Sequence, residues 1–403
     1  MYICQAKFQA MMSRKRRKRR KRNRQKMIAV QFIDLPDEII LKVMSNFKGK
    51  ELLQLGQVSK RIRNISHDNS LWLNVDLSDQ KVSTDFVKMI LSNGCKYLNL
   101  NDSKLVGNVS LRKTSNLLAL DLSDCEANTD VGEELLASCN SLKVLYPFGF
   151  SLTQKMVDSV CGNGKQLKTL GLDGAITKRK RLEKVLDSCH SLKEVELESF
   201  AFSSKMIKSL SYKNHLTLQK VDFAFCRELD IKSIQLIIDN CIEIKEFKLC
   251  YSQLSERSLH YLVNNLTTKI EILSLHYQDH LNDAHILGLV GRCKKLSALD
   301  LGNTNIKNDS IIGIIDNLKF TLKELSVMHC TLIGYPVLLK LKDMDQLRIL
   351  QCNEEYSKKL SKKLSNIHIN EGEEENLSGS YGKYSAVHEI GRRGFKGRGF
   401  ATY

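Results

Sequence analysis

Three stretches of the chain, TLQKVDFAFC (217–226), EIKEFKLCYS (243–252) and KIEILSLHYQ (269–278), share one pattern of apolar residues. Each is apolar at its second, fifth and seventh positions, and such alternation predicts a short strand with one set of side chains turned inward. The same phrase recurs at intervals of 22 to 26 residues, with its first apolar position at Trp72, Cys95, Leu117, Leu142, Leu167, Leu192, Leu218, Ile244, Ile270, Leu296, Leu322 and Leu347.

A helix is predicted between successive strands. GEELLASC (132–139) and SIQLIIDNC (233–241) carry apolar residues at the i, i+3, i+4 spacing of an amphipathic helix. Each unit leaves an apolar side that the next unit covers. The phrase and its period resemble leucine-rich repeats. That resemblance implies an α/β horseshoe over residues 75–355, with a parallel sheet on the concave wall, helices on the convex wall and about 11–12 repeats.

Most cysteines follow the same period, which predicts small buried packing residues. They resemble the cysteine-containing class of leucine-rich repeat, with Cys139, Cys189, Cys241 and Cys293 three residues before a repeat start and Cys125, Cys226 and Cys330 eight residues after one. The chain has no Cys-x-x-Cys motif, so neither a zinc site nor any other cofactor is expected.

Three histidines, His276, His280 and His285, fall within ten residues of one another. They are predicted to lie on a strand, a loop and a helix respectively, so we interpret them as solvated or packed side chains rather than metal ligands.

The positive charge of the chain is concentrated at its start. The 403 residues carry a net charge of +17, and residues 1–27 hold 12 Lys and Arg and no acid. Such a run stays solvated, so we predict a disordered polybasic tail. The run at 14–26 fits a nuclear-import signal and favours the nucleus over the cytoplasm. A second tail, predicted to be largely disordered over 356–403, ends in the Gly- and Arg-containing stretch GRRGFKGRGFATY (391–403).

The segment IDLPDEIILKVMSNF (33–47) is too apolar for a short helix that its own chain must cover. Pro36 suits the first turn of a helix. The residues that follow up to Trp72 predict two further short helices, with Leu53, Ile62 and Ile65 as candidate core residues. So small a bundle leaves apolar surface for the first repeats or for another protein.

This segment resembles an F-box, which we place at 28–74. The matching elements, in chain order, are Leu35-Pro36-Asp37-Glu38, Ile39, Val43, Phe47, Glu51-Leu52, Leu55, Val58-Ser59-Lys60 and Leu71-Trp72. The whole chain is therefore similar to the F-box/leucine-rich-repeat family of SCF ubiquitin-ligase adaptors.

The resemblance implies a non-catalytic adaptor. The F-box would dock on a Skp-type linker protein, which joins a cullin-RING scaffold, and the repeats would hold the protein to be ubiquitinated. The linker-binding residues that it implies are Leu35, Pro36, Ile39, Val43, Phe47, Leu52, Leu55, Val58 and, at the junction, Trp72. The alternative is that these residues only form the core of a small bundle.

A row of aromatic residues is predicted at the edge of the concave wall. Outward positions lie two, four and six residues after each repeat start, and the seventh lies at the rim. Phe225, Tyr251 and Tyr277 occupy the rim in three successive repeats, His276 stands beside them, and Tyr146 and Phe148 face the same side. Exposed aromatics are typical anchors for a binding partner, although a loop or the C-terminal tail could cover them instead.

Acidic residues also cluster on the predicted concave wall. Glu194, Glu196 and Glu198 alternate along one strand and so share a face. Outward positions on nearby strands add Asp121, Asp173, Asp222 and Glu246. The cluster indicates either a substrate with a basic segment or a merely solvated face.

Two other classes of function have weaker support in the sequence. No phosphate loop, metal cluster or activated nucleophile supports an enzyme. A nuclear or nucleolar scaffold that binds nucleic acid or ribonucleoprotein through its basic tails is the alternative, because polybasic segments bind nucleic acid without sequence preference. No membrane partner is expected.

Overall fold

The structure, a computed structural model, describes residues 32–47, 49–107, 115–174, 177–227 and 229–370. The two predicted tails, 1–27 and most of 356–403, lie outside these ranges, as do residues 28–31 of the predicted F-box. No helix in the described ranges is both long and apolar enough to cross a bilayer.

Strands form at the recurring phrase and stack in chain order. Within the described residues, thirteen of them make one parallel sheet in the order β1, β3 and then β5 to β15, while β2 pairs only with β4. The strands are β1 (Asn74–Asp76), β2 (Lys81–Ser83), β3 (Tyr97–Asn99), β4 (Lys104–Val106), β5 (Ala119–Asp121), β6 (Val144–Tyr146), β7 (Thr169–Asp173), β8 (Glu194–Glu198), β9 (Lys220–Asp222), β10 (Glu246–Lys248), β11 (Ile272–Ser274), β12 (Ala298–Asp300), β13 (Glu324–Ser326), β14 (Ile349–Gln351) and β15 (His368–Ile369).

A helix follows most strands and returns the chain to the start of the next. The helices are α1 (Asp37–Met44), α2 (Gly49–Leu55), α3 (Lys60–Ser66), α4 (Thr84–Ser92), α5 (Thr129–Ser138), α6 (Gln154–Asn163), α7 (Arg179–Ser188), α8 (Ser204–Lys213), α9 (Ile231–Asn240), α10 (Glu256–Asn265), α11 (Asp283–Arg292), α12 (Asn308–Leu318), α13 (Tyr335–Leu338) and α14 (Glu354–Ser361). Short 3-10 helices occur at Phe32–Asp34, Asn69–Trp72 and Leu339–Asp343.

Polar side chains determine where several of these helices begin. Thr153, Ser203, Asp230 and Ser255 each accept a hydrogen bond from the amide three residues later, at 2.8 to 3.3 Å. This contact satisfies an amide that has no partner within the helix.

The register of the sheet aligns equivalent residues of successive repeats. Asp222, Lys248, Ser274 and Asp300 lie opposite one another on β9 to β12. The inward residues of the phrase, such as Leu218, Val221 and Phe223, are buried in one continuous core. The predicted solenoid is therefore confirmed.

Asparagines near the ends of two helices connect adjacent repeats. Asn163 accepts from the Leu142 amide at 3.0 Å and donates to the Cys139 carbonyl at 2.7 Å. Asn214 makes the equivalent bonds to Leu192 and Cys189. These bonds satisfy backbone groups that the turn would otherwise bury unpaired.

The cysteines that the structure describes are free thiols, and all except the half-buried Cys161 are buried. Burial raises the pKa of Cys95, Cys189 and Cys241 to about 12. A thiol with so high a pKa is a packing group rather than a nucleophile.

The repeats extend further than predicted. We expected them to end at 355, but α14 continues to Ser361 and β15 pairs with β14 through Leu350 and Ile369. The Asn370 side chain then bonds both the amide and the carbonyl of Cys352, at 2.8 Å each. The ordered solenoid thus includes at least residues up to 370.

Helices α1 to α3 form a small bundle in front of the repeats. Trp72 lies at its centre and is fully buried, with its indole N–H donating to the Ser66 carbonyl at 2.8 Å. The Trp72 ring meets Phe86 of α4 edge-on at 6.0 Å, which fixes the bundle against the first repeat. A side chain at Gly56 would collide with Ser66, so this glycine allows the close approach of α3.

Candidate functional site

One candidate surface is the exposed apolar side of the bundle. We call Ile33, Leu35, Pro36, Ile39, Val43, Phe47, Leu55 and Val58 the docking patch. Ile39 and Val43 are one helical turn apart on α1 and are 46% and 37% exposed, and Val58 in the turn before α3 is 70% exposed. Leu35 and Leu55 are half-buried at its edge. A concentration of exposed apolar side chains typically marks a protein interface.

Two residues predicted for linker binding lie elsewhere. Leu52 is 2% exposed and Trp72 is fully buried, so both belong to the bundle core instead of the patch. The predicted core residues Ile62 and Ile65 are buried, whereas Leu53 is half-buried. Leu52 points further into the core than Leu53, because the rotation of a seven-residue helix depends on what it packs against.

Ile33 is a patch residue that the sequence analysis missed. It is 38% exposed, in the 3-10 helix that leads into Leu35 and Pro36. Its position two residues before Leu35 and Pro36 could have indicated that it belongs to the same surface.

The second candidate surface is the rim of the sheet. The rings of Phe225 and Tyr251 stack with centroids 4.7 Å apart and an angle of 4° between their planes. Tyr251 and Tyr277 stack at 4.7 Å and 23°. We call these three residues the aromatic ladder. The predicted row is therefore present in the structure, and Tyr277 at its end is 36% exposed.

The backbone of the aromatic ladder is left-handed. Phe225, Tyr251 and Tyr277 have φ of 58°, 57° and 59°. The equivalent position in most other repeats is left-handed too. It mostly holds residues that tolerate this conformation, such as Asp79, Asp102, Asp124, Gly149 and Asn303. A bulky residue there costs on the order of 1 kcal/mol or more. Three successive aromatics at such a position indicate a role other than turn formation.

His276 packs against the aromatic ladder. It lies in the turn after β11, not on the predicted strand, and is buried. Its Nδ1 is 3.4 Å from Asp300 Oδ1, and its ring is 5.2 Å from that of Tyr251. Asp300 also accepts from Ser274 Oγ at 2.9 Å. His276 is therefore placed to position Tyr251, and a partner has little access to it.

Tyr146 and Phe148 form a separate aromatic cluster on the concave wall. Their rings stack at 6.2 Å and pack with Ala119 and Val144. Both lie so close to Gly171 that a Cβ there would be 2.6 Å from Tyr146 and 2.4 Å from Phe148. Both side chains are buried, whereas the prediction placed them among exposed anchors.

The acidic wall is partly neutralised by lysines. Glu194, Glu196 and Glu198 are half-buried, and Glu194 pairs with Lys220 at 2.9 Å. The Tyr146 hydroxyl donates to Glu196 at 3.5 Å. Glu198, on the same strand, completes the alternating set on one face.

Lys248 is a buried cation in the middle of this wall. Its Nζ lies 2.7 Å from Glu246 and 4.0 Å from Asp222. Burial acts to lower the pKa of Lys248, but the two carboxylates outweigh burial and raise it. Lys248 therefore remains charged and holds the neighbouring acids in place.

The described residues offer no cluster of metal-ligating side chains. Among the residues that the structure describes, no group of three or more His, Cys, Asp or Glu could hold an ion. His285 is buried in α11, where it exchanges capping-box hydrogen bonds with Asn282.

Comparison with known proteins identifies both parts of the molecule. The family model of the SKP2 LRR domain matches residues 151–376, and an F-box-like model matches residues 32–78. The fold and these two matches thus define an F-box joined to a leucine-rich-repeat solenoid. The first match alone covers more than half of the chain, and the protein belongs to the F-box/leucine-rich-repeat family.

Two solved structures are similar to this chain at low sequence identity. A chain of the crystal structure of the Rad7 and Elc1 complex in yeast is 16% identical, with a TM-score of 0.53 over 83% of this chain and 92% of that chain. The leucine-rich repeat-containing protein LegL7 from Legionella pneumophila is 14% identical, with a TM-score of 0.39 over 71% of this chain and 92% of that chain. The first likeness shows a common fold, and the second adds no further argument.

Proposed function

We propose that this protein is the substrate-recognition adaptor of an SCF-type cullin-RING ubiquitin ligase. The F-box/leucine-rich-repeat architecture is typical of non-catalytic adaptors. The observation that carries the proposal is the exposed docking patch on a bundle whose core residues, such as Ile40, Met44 and Trp72, are buried. In this account the patch binds a Skp-type linker protein, the linker joins the cullin-RING scaffold, and the ubiquitin chemistry belongs to other subunits.

The repeats are proposed to hold the protein substrate along the rim and the concave wall. The aromatic ladder supports this, because Tyr and Phe supply large contact area at low entropic cost. The carboxylates of β8 and β9 support a substrate with a basic segment, since opposite charges steer association.

A second candidate function rests on the basic run. Residues 14–26 and the tail at 391–403 favour a nuclear or nucleolar scaffold that binds nucleic acid or ribonucleoprotein. The same run supports our proposal that the protein acts in the nucleus, the cytoplasm being the alternative. Nuclease treatment and deletion of residues 13–26 separate the two functions, because only the scaffold would then lose all its partners.

Affinity capture from cells tests the adaptor. The wild-type chain should recover the linker protein and the cullin, and a Leu35→Ala/Pro36→Ala double variant should recover much less of both. Equal recovery by the two chains would refute the adaptor function. Proximity labelling with and without proteasome inhibition would then identify substrates, as proteins whose labelling rises when degradation is blocked.

A further inference from the structure

Arg61 lies on α3, next to the segment that presents Leu35 and Pro36. Its Nε and Nη2 donate to Asp37 Oδ1 at 2.9 and 2.5 Å. Nη2 also donates to the Leu35 carbonyl at 2.7 Å, and Nη1 donates to the Ile33 carbonyl. One guanidinium therefore joins α3 to three alternate residues, Ile33, Leu35 and Asp37, at the start of the docking patch.

Backbone hydrogen bonds also reach this segment. The Ile39 and Ile40 amides donate to the Pro36 carbonyl at 3.0 and 3.1 Å. The Leu35 amide donates to the Phe32 carbonyl at 3.3 Å, and Pro36 has no amide hydrogen to donate. Pro36 and Asp37 are exposed, so burial does not fix their side chains, and Arg61 supplies the side-chain contacts to this segment. A planar guanidinium with five donors is suited to such a task, whereas a lysine ammonium cannot reproduce its fork.

We infer that Arg61 is a positioning residue for linker binding. It holds residues 33–37 in the conformation that presents Leu35, Pro36 and Ile39, without belonging to the patch itself. The inference rests on the proposed function, because it concerns how the same patch binds the linker protein. Without Arg61 the segment would sample other conformations, and the apparent affinity would fall by the fraction that remains competent to bind.

The ion pair between Arg61 and Asp37 lies at the surface of the bundle. The side chains of Arg61 and Asp37 are 41% and 62% exposed, and an exposed pair contributes little to the stability of a whole domain. Loss of Arg61 should therefore affect the order of one segment far more than the unfolding of the bundle.

The test compares Arg61→Gln, Arg61→Lys and the matched control Lys60→Gln in the full chain. Lys60 is exposed on the same helix, and its replacement removes the same charge. Titration with purified Skp-type linker protein should show binding weakened about tenfold for Arg61→Gln, less for Arg61→Lys, and within about twofold for Lys60→Gln.

Hydrogen exchange of the unbound chain supplies a readout that a purely structural role would not give. The amides of Leu35 and Ile39 should exchange faster in Arg61→Gln, while those of α3 and the unfolding midpoint stay as in the wild type. Unchanged affinity, or equal loss of protection throughout α1 to α3, would overturn the inference alone. Failure of the wild-type chain to bind the linker protein would overturn the proposed function as well.

Discussion

Trp72 and Val58 contribute to the F-box in different ways. Trp72 is buried and its indole satisfies the Ser66 carbonyl. Replacing it with phenylalanine leaves that carbonyl unpaired and opens a cavity, so we expect Trp72→Phe to lower the free energy of unfolding by about 2–3 kcal/mol. Denaturant unfolding followed by circular dichroism measures the change.

Val58→Ala is the matched comparison for Trp72→Phe. Because Val58 is 70% exposed, the free energy of unfolding should stay within about 0.5 kcal/mol of the wild type. Binding of the linker protein should nevertheless weaken about fivefold or more, since Val58 belongs to the docking patch. A stable variant that binds like the wild type would remove Val58 from the patch.

Tyr277→Asn tests the purpose of the aromatic ladder. Asparagine tolerates the left-handed backbone that Tyr277 adopts, so relief of strain should offset the lost ring contact. We expect the free energy of unfolding to change by less than about 1 kcal/mol. Capture of substrate, measured by quantitative proteomics, should fall clearly.

The opposite pattern for Tyr277→Asn would contradict the substrate surface. A large loss of stability with unchanged capture would mean that the ring serves the fold. Asn303, which already occupies the equivalent position in the next repeat with φ of 53°, shows that the substitution is compatible with the turn.

The rim residues with a left-handed backbone show which properties of single residues could be predicted from the sequence and which could not. Periodicity located the three aromatics, and the ladder follows from the strand spacing. Their strain could have been inferred from the Asp, Asn and Gly residues at equivalent positions, which are enriched where φ is positive. The burial of His276, Tyr146 and Phe148 could not have been inferred from the sequence. It depends on the close approach of Gly302 and Gly171, which lie in neighbouring repeats.

At the scale of elements, Gly171 of β7 lies directly against the rings of Tyr146 and Phe148. Gly171→Ala would place a methyl group 2.4 Å from Phe148, and overpacking of this kind typically costs about 1–3 kcal/mol. Thermal and denaturant unfolding should therefore show a destabilised chain.

Gly291→Ala is the control for that substitution. Gly291 lies in α11, and a Cβ there would meet nothing within 4 Å. Alanine is the better helix former, so this variant should be more stable by about 0.5–1 kcal/mol. Equal effects of the two alanines would show that the packing over Gly171 is loose.

The first turn of α9 carries a pH-dependent contribution. The Ser233 hydroxyl and amide bind the Asp230 carboxylate and lower its pKa. Because the folded-state pKa lies below the unfolded value, the stabilisation is present above the ordinary Asp pKa and is lost as pH falls through the folded pKa.

Asp230→Ala measures this contribution. At pH 7 the substitution should cost about 1 kcal/mol, the usual value of such a cap. The difference from the wild type should shrink as the pH falls below about 4, because the wild-type carboxyl is then protonated in the unfolded state and progressively in the folded one. A difference in the free energy of unfolding that is constant with pH would show that the negative charge of Asp230 contributes nothing to the cap.

Strong periodicity explains why most elements could be predicted and the last ones could not. Strands with inward residues such as Val221 and Phe223 repeat a clear pattern. Helix α14, in contrast, has one buried residue, Leu360, and β15 has two residues. A terminal repeat packs on one side only and needs fewer apolar positions, so its pattern is weak.

At the scale of the molecule, one chain carries two surfaces with different chemistry. The docking patch is apolar and belongs to the bundle, whereas the rim and concave wall combine aromatic and acidic residues. Contact between Trp72 and Phe86 fixes the bundle against the first repeat. A substrate held by the repeats would therefore be presented in a defined orientation to whatever the patch binds.

The central claim is that these two surfaces act separately, and the affinity of the full chain for a purified Skp-type linker protein tests it most directly. Calorimetric titration should show one-to-one binding by the wild type and by Tyr251→Ala/Tyr277→Ala. Binding by Ile39→Asp should be at least about a hundredfold weaker, because a charge would be buried in the apolar interface. Absence of wild-type binding, or equal affinity of Ile39→Asp and the wild type, would contradict the account.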